Sequence, residues 1–383
     1  MSVTAPQGFS AAGVAAGLKS SGDLDVALVL NHGPDDAAAA VFTTNRFPAA
    51  PVLWSRQVLE GERVRAVVLN SGGANACTGP EGFQDTHATA EHAAAELGLG
   101  AIDVAVASTG LIGVRLPMDK LTVGVTAAVK ALSEDGGADA ARAIMTTDSV
   151  PKTTVQQRDG WSIGGMAKGA GMLAPSLATM LVVLTTDAVV PPDVLGPALK
   201  TATSLSFERV DSDGCLSTND TVLVMSSGAS GITPSVEEFT EALTAAATDL
   251  AMQLLADAEG STKDIAITVR NAATVDDALT AGRACARNNL LKTALFGNDP
   301  NWGRVLAAIG TTDAAFEADR VDVTINGVTV CRGGAIGDPR EGVDLTGRAI
   351  TIDVDLKAGA EQATIWTNDL SIAYVHENSA YST

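Results

Sequence analysis

The stretch "MLVVLTTDAVVPPDVLGPALKTATSLSFERVDSDGCLSTNDTVLVMSS", residues 180–227, holds two short runs rich in Val and Leu, 180–186 and 221–227. Between them Val194–Ser204 has helical spacing, so the chain reads as strand, helix, strand, the alternation of a mixed α/β protein. The same pattern extends outward. Strands are expected at 24–30, 65–70 and 102–108 on one side and at 264–269, 321–325, 349–356 and 363–367 on the other. Helices are expected at Thr86–Leu97, Asp119–Leu132, Ser235–Ala258 and Val275–Asn288. Ser235 with Glu238 three residues on has the spacing of a capping box. The connecting "DSDGCLSTND" (211–220) begins like a calcium loop, but its glycine comes too early and no carboxylate stands at the twelfth position.

The 383 residues, 46% of them hydrophobic, can bury the core of one large domain or of two to three modest ones. A net charge of −20 repels a phosphate backbone and an anionic bilayer, so neither nucleic acid nor membrane is an expected partner. Cys77, Cys215, Cys285 and Cys331 are far apart without a CxxC spacing, which predicts free thiols and a cytoplasmic setting. "MSVTAPQGFSAAG" lacks the basic and apolar regions of a signal peptide, and no apolar run is long enough to span a bilayer. The glycine-rich, charged stretches 132–140 and 332–342 read as surface loops.

Histidine is limited to His32, His87, His92 and His376, and the spacing of five between His87 and His92 puts them on different helix faces. HExxH and GxSxG are both absent. The glycine-rich loop "GGMAKGAGM" (164–172) runs into proline and strand-type residues instead of a helix N-terminus, which removes the oriented amides of a phosphate cradle. Thr179 follows, with two readings open. It is an ordinary residue at the start of a strand, or it is a nucleophile whose own α-amine is the base. The second needs a cut between Ala178 and Thr179; an α-amine with a pKa of roughly 7.7–8.0 can then accept the hydroxyl proton.

Motifs over nearly the whole chain bear on that choice: "NSGGANACTG" (70–79), "ASTGLIGVRLPMDK" (107–120), "AIMTTDSVPK" (143–152), "GGMAKGAGMLAPSLATML" (164–181), "STND" (217–220), "AEGSTK" (258–263), "NDPNWGR" (298–304) and "YVHENSAYST" (374–383). Together they resemble the ornithine acetyltransferase family, the bifunctional glutamate N-acetyltransferases of arginine biosynthesis. The resemblance implies self-cleavage between Ala178 and Thr179 into an α chain (1–178) and a β chain (179–383) that share one core, with Thr179 as nucleophile. It assigns the oxyanion hole to Thr109 and Gly110 and substrate contacts to Thr146, Lys168, Asn378 and Thr383. Glu259 becomes the acidic residue beside the reacting groups. The implied fold is a DmpA-like α/β/β/α sandwich of mixed sheets with a smaller α/β portion in the second half. The family usually has Asn where this chain has Gly73. "NDPNWGR" reads as structural, with Asp299 and Arg304 pairing and Trp302 packing.

The implied reaction is ping-pong: acetyl passes from N-acetyl-L-ornithine to Thr179 and then to L-glutamate, without metal or cofactor. Some relatives also accept acetyl-CoA, and an α2β2 heterotetramer is the implied assembly. Other readings are a self-processing amidase or aminopeptidase that hands the acyl group to water, a binding protein on the same fold, and an acetyltransferase paralogue of secondary metabolism.

Overall fold

Three mixed sheets carry the fold in the computed structural model, which describes residues 2–173 and 180–380. The first has the order β1 (Phe9–Val14), β2 (Val26–Asn31), β4 (Ala66–Asn70), β5 (Val104–Ser108). The second runs β3 (Ala38–Phe42), β9 (Thr221–Ser226), β8 (Leu181–Thr186), β7 (Ser162–Lys168), β6 (Lys152–Gln157). The strands read at 180–186 and 221–227 are β8 and β9, and they pair in parallel. Parallel neighbours need a crossover, and α5 (Pro192–Leu205) supplies it. β7 pairs antiparallel with β8, so strands from both sides of the 178/179 position belong to one sheet.

The pleat sorts the second sheet's side chains into two cores. Met166, Leu181, Val183, Leu223 and Met225 pack with the first sheet. Ile163, Val182, Leu184, Val222 and Val224 pack against α5 and α6 (Val236–Ala256). Beyond the first sheet lie α2 (Gly79–Leu97) and α3 (Met118–Ala131), while α4 (Gly137–Ala143) packs on β1 and β2 and also reaches β7 of the second sheet. The order is therefore helices, sheet, sheet, helices, as expected. The edge of β5 is covered by α1 (Ala50–Leu59): Trp54 Nε1 donates to Val104 O at 3.0 Å and Ser55 Oγ to Val106 O at 2.7 Å.

The smaller α/β portion is a third sheet of order β13 (Ala335–Ile336), β12 (Val328–Arg332), β11 (Asp322–Ile325), β14 (Ala349–Asp355), β10 (Asp264–Ala272), β15 (Glu361–Asn368). Its own core joins it to α7 (Val275–Ala286), α8 (Asn289–Phe296) and α9 (Trp302–Ile309). The last element is α10 (Ile372–Ala380).

Ser235 Oγ caps α6 by accepting from Glu238 N at 3.1 Å, as its spacing predicts. Other expectations need correction. Residues 164–168 of the glycine-rich loop lie in strand β7, paired with β6 and β8, and Gly164 is needed there because a Cβ would stand 2.2 Å from Ser2 O. The stretch 132–140 is not all surface loop: α4 starts inside it, and a Cβ on Gly136 would meet Ala11 O at 1.8 Å. Asp299 faces Arg340 at 3.8 Å, while Arg304 donates to Leu290 O, so these two do not pair with each other. Trp302 does pack on the third core. The four cysteines are free, with Cys285 and Cys331 buried. Among the described residues no helix is long and apolar enough to cross a membrane.

Candidate active site

The site begins where β4 and β5 end. Asn70 and Ser108 are partners in register, and the chain leaves β5 as the turn Ser108–Thr109–Gly110. Ser108 Oγ donates to Asn70 Oδ1 at 2.6 Å, Thr109 N to Asn70 O at 2.9 Å, and Gly73 N to Thr109 O at 3.0 Å. Asn219 adds a brace from the second sheet, its Nδ2 donating to Ala74 O at 2.6 Å and Ser108 O at 2.8 Å. Gly110 has φ +129°, and a Cβ there would lie 2.8 Å from Gly73 N, so only glycine fits both the backbone and the space. The turn is thus fixed by four of these hydrogen bonds and one close approach.

Lys168 closes β7 and is 2% exposed. Its Nζ donates to Thr109 Oγ1 at 3.3 Å and stands 4.0 Å from Asp148 Oδ2. A hydroxyl that accepts from an ammonium keeps its own proton for another acceptor. Asp148 is held by Lys152 Nζ at 2.6 Å, Gly169 N at 2.7 Å and Thr146 N at 3.0 Å. Lys152 in turn reaches Asp257 at 2.6 Å. Burial opposes ionisation of Asp148, but Lys168, Lys152 and the Gly169 amide outweigh it and hold the carboxyl below the ordinary range. For Lys168 burial is the largest influence and lowers its pKa, with Asp148 pulling the other way.

The opposite wall comes from the end of α6 and from the chain's last helix. Glu259 N donates to Ala170 O at 2.9 Å, which ties this segment to the strand of glycines. The Glu259 carboxylate lies so close to Gly171 that a Cβ there would be 2.7 Å from Oε2. Gly260 (φ +61°) would clash with Tyr374 N at 2.2 Å if it carried a Cβ, and Ser371 Oγ donates to Gly260 O at 2.5 Å. These contacts seat α10 beside Glu259 and bring Asn378 to the cavity.

A cavity of about 400 Å³ opens between these walls. Of the residues singled out in the sequence, Thr109, Gly110, Thr146, Lys168, Glu259 and Asn378 all line it. Ala178, Thr179 and Thr383 lie outside the described residues. Lys19, Ser71, Ser217 and Asn219 also line the cavity and were missed, as were the supporting Asn70 and Asp148. The available signal was positional: Asn70 and Asn219 are polar residues at the ends of apolar strand runs, where an amide can bridge strand ends.

The sequence pattern of the ArgJ family matches residues 10–383. The arginine biosynthesis bifunctional protein ArgJ of Streptomyces coelicolor is 65% identical over 382 residues, covering 100% of both chains. Its namesake in Mycobacterium tuberculosis is 60% identical over 99% of this chain and 96% of its own. The crystal structure of ornithine acetyltransferase complexed with ornithine from Mycobacterium tuberculosis is 65% identical over 46% of this chain and 96% of that one, with a TM-score of 0.46. With a full-length match to the family and to relatives of this identity, the chain belongs to the ArgJ family.

Proposed function

We propose that this chain moves an acetyl group from N-acetyl-L-ornithine to L-glutamate in arginine biosynthesis, through an ester on Thr179. The observation that carries the reading is convergence: Thr109 and Gly110, Thr146, Lys168, Glu259 and Asn378 come from five separate segments and line one cavity. That cavity adjoins Gly171 and Met172, just before the segment that contains Thr179.

Self-cleavage comes first. The Thr179 hydroxyl oxygen bonds to the Ala178 carbonyl carbon, the C–N bond breaks, and the freed amine keeps the hydroxyl's proton. Water then opens the Ala178 ester, leaving a carboxylate on the α chain (1–178) and a free amine and hydroxyl on the β chain (179–383). In turnover the amine takes the hydroxyl proton as the oxygen attacks the acetyl carbon. The acetyl–nitrogen bond breaks, ornithine leaves with that proton, and acetyl-threonine remains. Glutamate's neutral amine attacks the ester, its proton passes to the Thr179 oxygen through the amine, and N-acetylglutamate leaves.

The developing oxyanion rests on the Thr109 hydroxyl and the Gly110 N–H. Lys168 behind Thr109 strengthens this donor, because the hydroxyl accepts from the ammonium while its own proton points to the substrate. Asp148 and Asp257 neutralise the two buried lysines around it. Glu259 handles the ammonium of ornithine, and Thr146, Asn378 and Thr383 hold the parts common to both substrates. Strand pairing between β7 and β8 supports a core shared by both chains after the cut. The assembly that goes with this reading is an α2β2 heterotetramer in the cytoplasm.

Mass spectrometry of the denatured protein tests the reading. The wild type should give fragments 1–178 and 179–383 in place of one 38.8 kDa chain, and Thr179→Ala should stay whole and inactive. A wild type that stays whole while transferring acetyl would remove the α-amine as base. Release of acetate in place of N-acetylglutamate would turn the enzyme into a hydrolase.

A further inference from the structure

The loop 211–220, acidic but without the spacing of a calcium site, connects the third sheet to the active-site turn. At its start Asp211 Oδ2 receives Arg287 Nε at 2.7 Å, Lys292 Nζ donates to Ser212 O, and Ser212 Oγ donates to Asn368 Oδ1 at 2.8 Å. At its end Thr43 Oγ1 donates to Ser217 O at 2.6 Å, and Asn219 holds Ser108 and Ala74. Both ends are therefore anchored to rigid elements.

Between these anchors the loop takes hold of both neighbours of the 174–179 segment. Leu173 N donates to Asp213 Oδ2 at 3.1 Å, and Leu173 O accepts from Ser212 N at 2.5 Å. On the other side Met180 N donates to Asp220 Oδ1 at 3.0 Å, and Met180 O accepts from Thr221 N at 3.1 Å. Each flanking residue gives its N–H to a carboxylate and its carbonyl to a backbone amide of the same loop or its first strand residue. Asp213 also folds the loop on itself by accepting Cys215 N at 3.0 Å.

We propose that loop 211–220 is a two-ended clamp that presents the 174–179 segment for self-cleavage, with Asp213 and Asp220 as its positioning residues. This rests on the reading that the Ala178–Thr179 bond is cut. Attack on a preceding carbonyl needs the hydroxyl and that carbonyl brought together, and fixing Leu173 and Met180 sets where the chain enters and leaves the reacting segment. The Met180 amide is covalently next to Thr179, so Asp220 anchors the nucleophile's downstream side. The two aspartates form no bond and carry no proton in the reaction.

The electrostatics fit a role worth a penalty. Asp220 is 0% exposed, with the Met180 amide and the Ser217 side chain as hydrogen-bond partners. Burial pushes its carboxyl well above the ordinary range against the pull of the Met180 amide and Lys168, and burial likewise raises Asp213. A buried acid that only filled space would be replaced without loss by an apolar residue. Its use here is the oxygen it offers to one amide, which asparagine also offers.

The test is a time course of maturation of the full-length precursor, read by mass, with unfolding midpoints measured alongside. Asp220→Ala and Asp213→Ala should each slow cleavage by about tenfold or more, the expected effect of losing one buried hydrogen bond and leaving its amide unpaired. Asp220→Asn and Asp213→Asn keep an acceptor and should mature within about threefold of wild type. Alanine variants that fold and mature at the wild-type rate overturn the clamp. So do asparagine variants as slow as alanine, and if alanine prevents folding the asparagine rates decide alone. A wild-type chain that is never cut overturns the cleavage reading itself, and the clamp falls with it.

Discussion

β8 in the sandwich and β14 in the C-terminal sheet are both short and rich in β-branched residues, yet they solve different problems. All six residues of β8 are buried, with one face toward the first sheet and one toward α5 and α6. β14 alternates, with Ile350, Ile352 and Val354 inward and Ala349 and Thr351 exposed. A strand covered on both faces leaves polar chemistry only at its ends, where every buried polar atom must find a partner. Asn70, Ser108, Lys168 and Asp220 sit at or beside such ends, and they frame or support the cavity. The half-open sheet keeps a buried polar cluster at one end only, Lys263, Lys292, Thr367, Asn368 and Asp369, where it meets the sandwich; elsewhere its polar residues, such as Thr268 and Thr364 at 2.9 Å from each other, are satisfied on its outer face.

This contrast predicts that chemistry and stability can be damaged separately. Thr109→Val deletes the proposed oxyanion donor at the end of a fully buried strand and should lower kcat by about 10²–10³-fold. Its unfolding free energy should fall by about 1.5–3 kcal/mol, the loss of one hydrogen bond from the buried Lys168. Ile267→Ala, at a site 0% exposed in the C-terminal core, should destabilise by about 2–5 kcal/mol while kcat below the melting range stays at the wild-type value. An Ile267→Ala enzyme that loses kcat without losing stability would break the division between the two regions.

The smallest effect lies where the regions meet. Burial raises the Asp211 pKa from 3.8 to about 6, in spite of Arg287. The folded state therefore holds a proton that the unfolded chain has lost, so this contribution to stability is present below pH 3.8 and disappears as pH rises to about 6. Asp211→Asn cannot take up that proton and should flatten the fall, which denaturant titrations on either side of this window would read. An unchanged slope would mean that the junction titrates like an exposed carboxylate.

Legibility followed the same physics. Runs such as "AVVLN" and "LVVLTT" announce themselves because valine and leucine have few other homes. The neighbours β6 ("KTTVQQ") and β7 ("SIGGMAK") were not read as strands, since polar residues and glycine hide the pattern; Gly164 is there to admit the N-terminal chain, which only packing reveals. β3 and α4 are alanine-rich and equally mute. For the site, composition and spacing singled out Thr179 alone, and the remaining residues came from the resemblance to a known family. Asp213 and Asp220 stood out only as part of a stretch that begins like a calcium loop, because burial of a carboxylate has no local signature.

The antiparallel pairing of β7 with β8 orders events in the life of the protein. Lys168 lies opposite Leu181 across the join, and six residue pairs zip the two strands together from there. While the chain is whole this is a local hairpin, cheap in entropy to close. Were the break to come first, the same sheet would have to form between two separate molecules, at the mercy of their concentration. On the proposed maturation, folding therefore precedes scission, and the product is a seam that holds without the thread that made it.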